Sequence, residues 1–154
     1  MERPVRVSAK GLIVRDGRMA AVKLRDADGE FFIMPGGGME RDELLNEAVE
    51  REIAEEMGIR VRCGDMLFAI EGLRGERFHR VDLVFECEYL GNAENVQMHG
   101  DTNQVGVEWL EIDKLNTLPL YPSRLRRPIM DFCAGKSVRT YLGNENMGDP
   151  EVTD

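Results

Sequence analysis

The chain has 154 residues, a formal net charge of −9, 42% hydrophobic residues and 32% charged residues. That is about one domain's length, with apolar side chains enough for a core. The acidic balance argues against a nucleic acid polymer as partner, because bulk binding to one needs a basic surface; a small phosphorylated ligand stays open, since a divalent cation neutralises a local acidic site.

In chain order, MERPVRVSAK lacks the apolar stretch of a secretory signal, and no later run is apolar enough to span a membrane. A cytoplasmic protein with no membrane partner is expected. Residues 5–26 predict two strands around Asp16-Gly17, a good hairpin turn pair. DADG at 26–29 is a second turn. EFFIM is a short apolar strand, stopped by Pro35 and by Gly36, Gly37 and Gly38. Residues 42–57 predict a helix, with Asp42 as N-cap and Gly58 where a helix C-terminus favours glycine.

VRCGDMLFAIEG and FHRVDLVFECEYLG read as strands, the second with apolar alternation through Val81, Leu83 and Phe85. NAENVQMHGDTNQ is a polar loop and VEWLEI a further strand. SRLRRPIMDFCAGK predicts a helix that Pro128 either starts late or kinks. The tail from Asn144 is polar and expected to fray. Cys63, Cys87 and Cys133 match neither a disulfide framework nor a zinc spacing, so reduced, mostly buried thiols are expected. The whole predicts a single domain over 1–143 and a polar tail over 144–154. Its fold class is α/β or α+β, a mixed sheet covered by helices.

The central helix carries an anomaly. On a helical wheel, Leu44, Leu45, Ala48, Val49 and Ile53 gather on one side, which should face the core. Glu43, Glu47 and Glu50 lie opposite, where charges belong. Glu52, Glu55 and Glu56 instead continue the arc of Leu45, Ala48 and Val49 one or two turns later. Burying unpaired carboxylates is costly, and close like charges repel. Either the helix end projects past the sheet into water, or a hard cation sits there, since Mg2+ and Mn2+ take carboxylate oxygens. The glycines favour the cation. Gly36, Gly37 and Gly38 let backbone approach a ligand closely, and a plain strand-to-helix turn needs fewer. They do not form a phosphate-binding P-loop, whose lysine and hydroxyl residue are missing.

GGMERDELLNEAVEREIAEEMGI, residues 37–59, resembles the Nudix box. The positions that pattern fixes are filled here by Gly37, Glu43, Arg51, Glu52, Ile53, Glu55, Glu56, Gly58 and Ile59. MPGGG before the box and a strand with Trp109 after it are also similar to that family. Asp42 departs, because many members have glycine there. The resemblance implies a Nudix fold, a mixed β-sheet sandwiched between α-helices. It also implies Mg2+-dependent hydrolysis, with Mn2+ as substitute, of a nucleoside diphosphate linked to another moiety: a nucleotide, ADP-ribose or a nucleotide sugar.

By the family's pattern Glu52, Glu55 and Glu56 hold the cation, with the Gly36 carbonyl as a further ligand. Arg51 orients the helix carboxylates, Glu52 and Glu55 act in catalysis, and Glu43 and Gly58 are structural. The family's base is not always on the helix, and Asp101, Gln104 and Glu108 in DTNQVGVEW are loop alternatives. A non-catalytic nucleotide-sensing module of the same fold is the rival reading, although such relatives usually have a degraded box. Family habit also allows a homodimer.

Substrate choice must come from outside the box. Lys23 and Arg25, on the strand leading toward the glycines, are candidate phosphate contacts, with Gly37 and Gly38 as the backbone beside them. Arg77, His79 and Arg80 form a small basic cluster, more commonly a solvated hairpin. Phe31, Phe32 and Tyr121 are candidates for stacking a base, although adjacent strand residues face opposite ways. LPLYPSRLRRPI, 118–129, is loosely similar to the segment that helps close the cleft in bacterial members.

Overall fold

A computed structural model describes residues 4–74, 77–94, 96, 98 and 103–153. Its strands are β1 (Val5–Arg15), β2 (Arg18–Asp26), β3 (Gly29–Ile33), β4 (Gly36–Gly38), β5 (Ile59–Gly72), β6 (His79–Asn92), β7 (Gln104–Glu111) and β8 (Tyr141–Asn144). The helices are α1 (Leu45–Met57) and α2 (Arg126–Cys133), with 3-10 turns at Ile112–Thr117 and Ser123–Leu125. Asp16 and Gly17 both have positive φ, 49° and 75°, the combination a tight hairpin needs to join β1 to β2 with the right twist.

The sheet runs β3-β2-β1-β6-β5-β8, with β4 added to β1 and β7 to β2. It is mixed. β1 lies parallel to β6 and β5 parallel to β8, and the other pairings are antiparallel. Alternation along β1 and β6 divides the core. Ala9, Ile13, Phe85 and Cys87 pack against Ala48, Val49, Ile53 and Met57 of α1. Leu12 and Val84 face the other way, toward Leu115, Leu125 and Ile129 of the 3-10 turns and α2. The sheet is therefore sandwiched between helices, as expected.

Gly11 makes the closeness of α1 possible. A Cβ there would lie 2.6 Å from Ile53 Cδ1 and 3.0 Å from Cys87 Sγ. Gly11→Ala is expected to destabilise the fold by about 1–3 kcal/mol through overpacking. A urea midpoint equal to wild type would show instead that α1 lifts off the sheet at little cost.

Several expectations need correction. The helix starts at Leu45, not residue 42, and Leu44 is its N-cap. Asp42 has φ 63°, a left-handed conformation in the turn before the helix, so it caps nothing. Glu47 instead reaches back to accept from the Leu44 N–H at 2.8 Å. Leu44, placed on the core side by the wheel, is exposed. Gly58 ends α1 as expected, with φ 67° and its N–H on Ala54 O. Pro128 falls in the first turn of α2, where an N–H would have no helical partner.

The tail does not fray from Asn144. Glu145 is buried and accepts hydrogen bonds from the Ser123 N–H, the Ser123 hydroxyl and the Arg124 N–H. Glu151 pairs with Arg126, itself almost wholly buried. The thiols are free, but only Cys87 is buried; Cys63 is intermediate and Cys133 exposed. Among the described residues no helix is long and apolar enough to cross a membrane.

Candidate active site

The site forms where α1 passes the edge strand β4. Gly36, Gly37 and Gly38 pair with Lys10, Ala9 and Ser8 of β1. Gly36 must be glycine: its φ is 129°, and a Cβ there would stand 2.2 Å from Ala9 O. Gly37 leaves room for Glu52, whose carboxylate would lie 2.9 Å from a Cβ at that position.

Arg51 organises the acids. Its Nε and Nη2 donate to Glu43 at 2.6 and 2.9 Å, a bidentate pair. Its Nη1 donates to Glu52 at 3.0 Å and to Glu55 at 3.1 Å, and Nη2 also reaches Gly38 O at 3.1 Å. The partners are substantially shielded, with side-chain exposures of 22% for Arg51, 12% for Glu43, 21% for Glu52 and 19% for Glu55. The guanidinium holds the Glu43 carboxyl below its ordinary pKa. Glu43 also ties the loop down, accepting from the Glu40 N–H at 2.8 Å. Glu56 turns to the glycines and accepts from the Gly36 N–H at 2.7 Å.

The inward acids are thus neither splayed into water nor left without partners. Glu52 and Glu55 share one guanidinium nitrogen, and Glu56 is fastened to β4. Among the described residues no three Asp, Glu, His or Cys side chains converge closely enough to hold a metal ion as they stand. The donor chemistry nevertheless suits a hard cation: three carboxylates and the Gly36 carbonyl, all oxygen. One guanidinium is shared by Glu43, Glu52 and Glu55, with Glu56 beside them on β4.

Residues proposed from outside the box are placed less favourably. Lys23 is paired with Glu108, lies 3.8 Å from Glu30, and has its pKa raised chiefly by the Glu108 hydrogen bond. Arg25 is paired with Glu30. Gln104 lies close to the site, its amide 3.5 Å from Glu56 O, with its own Oε1 buried and without a hydrogen-bond partner among the described residues. Asp101 falls outside the described residues. His79 bonds Glu71 at 2.8 Å and Arg80 bonds Asp82 at 2.9 Å, so both meet carboxylates, and Arg77 is exposed. Phe32 is buried under Lys23, whereas Phe31 meets Tyr121 edge to face. Segment 118–129 runs beside β3, with Phe32 N–H on Pro119 O and Tyr121 N–H on Phe32 O.

Sequence reasoning missed two participants. Glu50, expected to face water, accepts from the Cys63 N–H at 3.0 Å and ties α1 to β5. The other is Lys10, whose Nζ lies 3.5 Å from Gly36 O. A cation between Ala9 and the apolar run Gly11–Leu12–Ile13 was the available signal.

A profile of the NUDIX domain matches residues 3–132. The chain is similar to a MutT-like protein of Streptomyces ambofaciens, 36% identical over 141 residues that cover 89% of this chain and 84% of that protein. It is also similar to an ADP-ribose pyrophosphatase of Methanocaldococcus jannaschii, 27% identical over 133 residues covering 85% of this chain and 75% of the other. Among solved structures, a MutT NUDIX hydrolase from Burkholderia pseudomallei superposes with a TM-score of 0.66 at 26% identity, covering 84% of this chain and 98% of that one.

Proposed function

The chain belongs to the NUDIX family and is a hydrolase of that family; from that premise we propose that it uses a divalent cation, Mg2+ or Mn2+, to hydrolyse the diphosphate linkage of a nucleoside diphosphate joined to a second group. The observation that carries this reading is the grouping of Glu43, Glu52 and Glu55 on Arg51 beside Glu56 and the glycines of β4. Similarity to an ADP-ribose pyrophosphatase supports ADP-ribose as one candidate, and nucleotides and nucleotide sugars carry the same linkage.

Glu52, Glu55 and Glu56, with the Gly36 carbonyl, would hold the cation. Such an ion neutralises charge at the linkage and acidifies water. Arg51 holds Glu52 and Glu55 side by side, and Glu43 keeps Arg51 in place. Glu56 fixes the distance between helix and glycines through its bond to the Gly36 N–H. The proton of the attacking water goes to Glu52 or Glu55. Gln104 is unsuited to that role because an amide is no base, and Glu108 is already committed to Lys23. Lys23 and Arg25 would contact phosphate only by exchanging their carboxylate partners for it. Gly37 and Gly38 supply backbone beside the linkage.

The test is a release assay on the purified protein with nucleoside triphosphates, ADP-ribose, nucleotide sugars and dinucleoside polyphosphates. Release of a phosphorylated nucleoside from at least one class is expected with Mg2+ or Mn2+, and none in excess EDTA. Cleavage indifferent to EDTA would remove the cation from the account. No cleavage of any class would remove the proposed activity.

A further inference from the structure

Gly36 is engaged from two sides. Its N–H is held by Glu56, and its carbonyl faces the ammonium of Lys10, its ladder partner on β1. The 3.5 Å contact is at the outer limit of a hydrogen bond. It places the ammonium without neutralising it. Lys10 is half-buried and makes no ion pair among the described residues. The neighbouring cations differ. Arg51 is spent on Glu43, Glu52 and Glu55, Lys23 on Glu108, and Arg25 on Glu30.

A charge partly withdrawn from water without a counter-ion is costly. The nearby carboxylates are turned to Arg51 and to the Gly36 N–H, so the complement of Lys10 must arrive from outside. We infer that Lys10 contacts the phosphate oxygens of the nucleoside diphosphate substrate, as a substrate-binding residue of the β4 site. This rests on the activity proposed above. A lysine suits the role because its ammonium is a compact point charge on a flexible stem, able to follow a phosphate. Its position also sets a sign. Gly36 O is one of the proposed cation ligands, so a positive charge beside it opposes a metal ion and favours an anion. Removing that charge should move the two affinities in opposite directions. A purely structural lysine would not do so.

Lys10→Met keeps the stem and removes the charge, and Lys10→Arg keeps a charge. Each full-length protein is titrated with Mn2+ alone, and separately with α,β-methylene-ADP, whose linkage does not hydrolyse, in the presence of Mg2+. Lys10→Met is expected to bind the analogue about tenfold more weakly than wild type, and Mn2+ at least as tightly. Lys10→Arg should stay within about threefold of wild type for the analogue. An unchanged analogue affinity in Lys10→Met overturns the inference. So does a parallel loss of Mn2+ and analogue, which would assign Lys10 to holding the β4 strand. A wild type that turns over the substrate panel while Lys10→Met binds the analogue normally removes Lys10 alone. A wild type that neither turns over nor binds the analogue removes the proposed activity, and Lys10 with it.

Discussion

Glu56→Gln is expected to keep the fold and lose most of the turnover, by about a hundredfold or more. The separation of the two effects follows from geometry. Glu56 Oε1 accepts from the Gly36 N–H at 2.7 Å, and a glutamine carbonyl oxygen accepts the same bond at the same reach. The β4 strand should therefore stay tied to α1, with a thermal midpoint within a few degrees of wild type. What disappears is one negative charge at the end of the helix, where the proposed cation needs it. The decisive comparison is turnover beside Mn2+ affinity in wild type and variant. Full activity in the variant would remove Glu56 from the ligand set. A fall in thermal stability equal to the loss of activity would mean that the carboxylate acts by holding β4.

Arg51→Ala is expected to damage stability and activity together. The guanidinium bonds Glu43, Glu52, Glu55 and Gly38 O. Without it, three shielded carboxylates lose the guanidinium that they share. Breaking such a network by removing one partner costs about 2–4 kcal/mol. Activity should fall by about two orders of magnitude, since Glu52 and Glu55 lose the group that sets them side by side. Arg51→Lys should recover little, because an ammonium cannot reproduce the bidentate pair with Glu43 while reaching the other two carboxylates.

A pH signature accompanies the loss. In wild type, Arg51 depresses the Glu43 pKa, so this pair contributes stability above the unfolded-state carboxyl value and loses it as pH falls through the folded value. Arg51→Ala should flatten that acid limb in urea melts followed from neutral pH downward. An acid limb as steep as in wild type would show that Glu43 draws its stabilisation from elsewhere.

Much of this protein was determined locally. Asp16-Gly17 forms its hairpin and Gly58 ends α1 because both depend on backbone conformations that neighbouring residues cannot alter. The alternation of β6 and the apolar arc of α1 placed the sheet between helices. The same periodicity marks Glu52, Glu55 and Glu56 as acids on an inward face, so the candidate site is legible in the sequence. Where local signals competed, tertiary structure decided. Asp42 was a reasonable cap by residue type, but the chain turns through a left-handed conformation there and Leu44 takes the position.

Contacts between distant segments decided the rest. The tail holds because Glu145 meets the backbone of Ser123 and Arg124, which composition does not encode. Charge and position make Lys23 and Arg25 candidate phosphate contacts, yet Glu108 and Glu30 take up that charge from neighbouring strands. Nothing local to β1 distinguishes Lys10; pairing with β4 brings the Gly36 carbonyl beside it. Residue type and period specify which groups a segment offers. Only the packed sheet specifies which of those charges meet a partner on another strand.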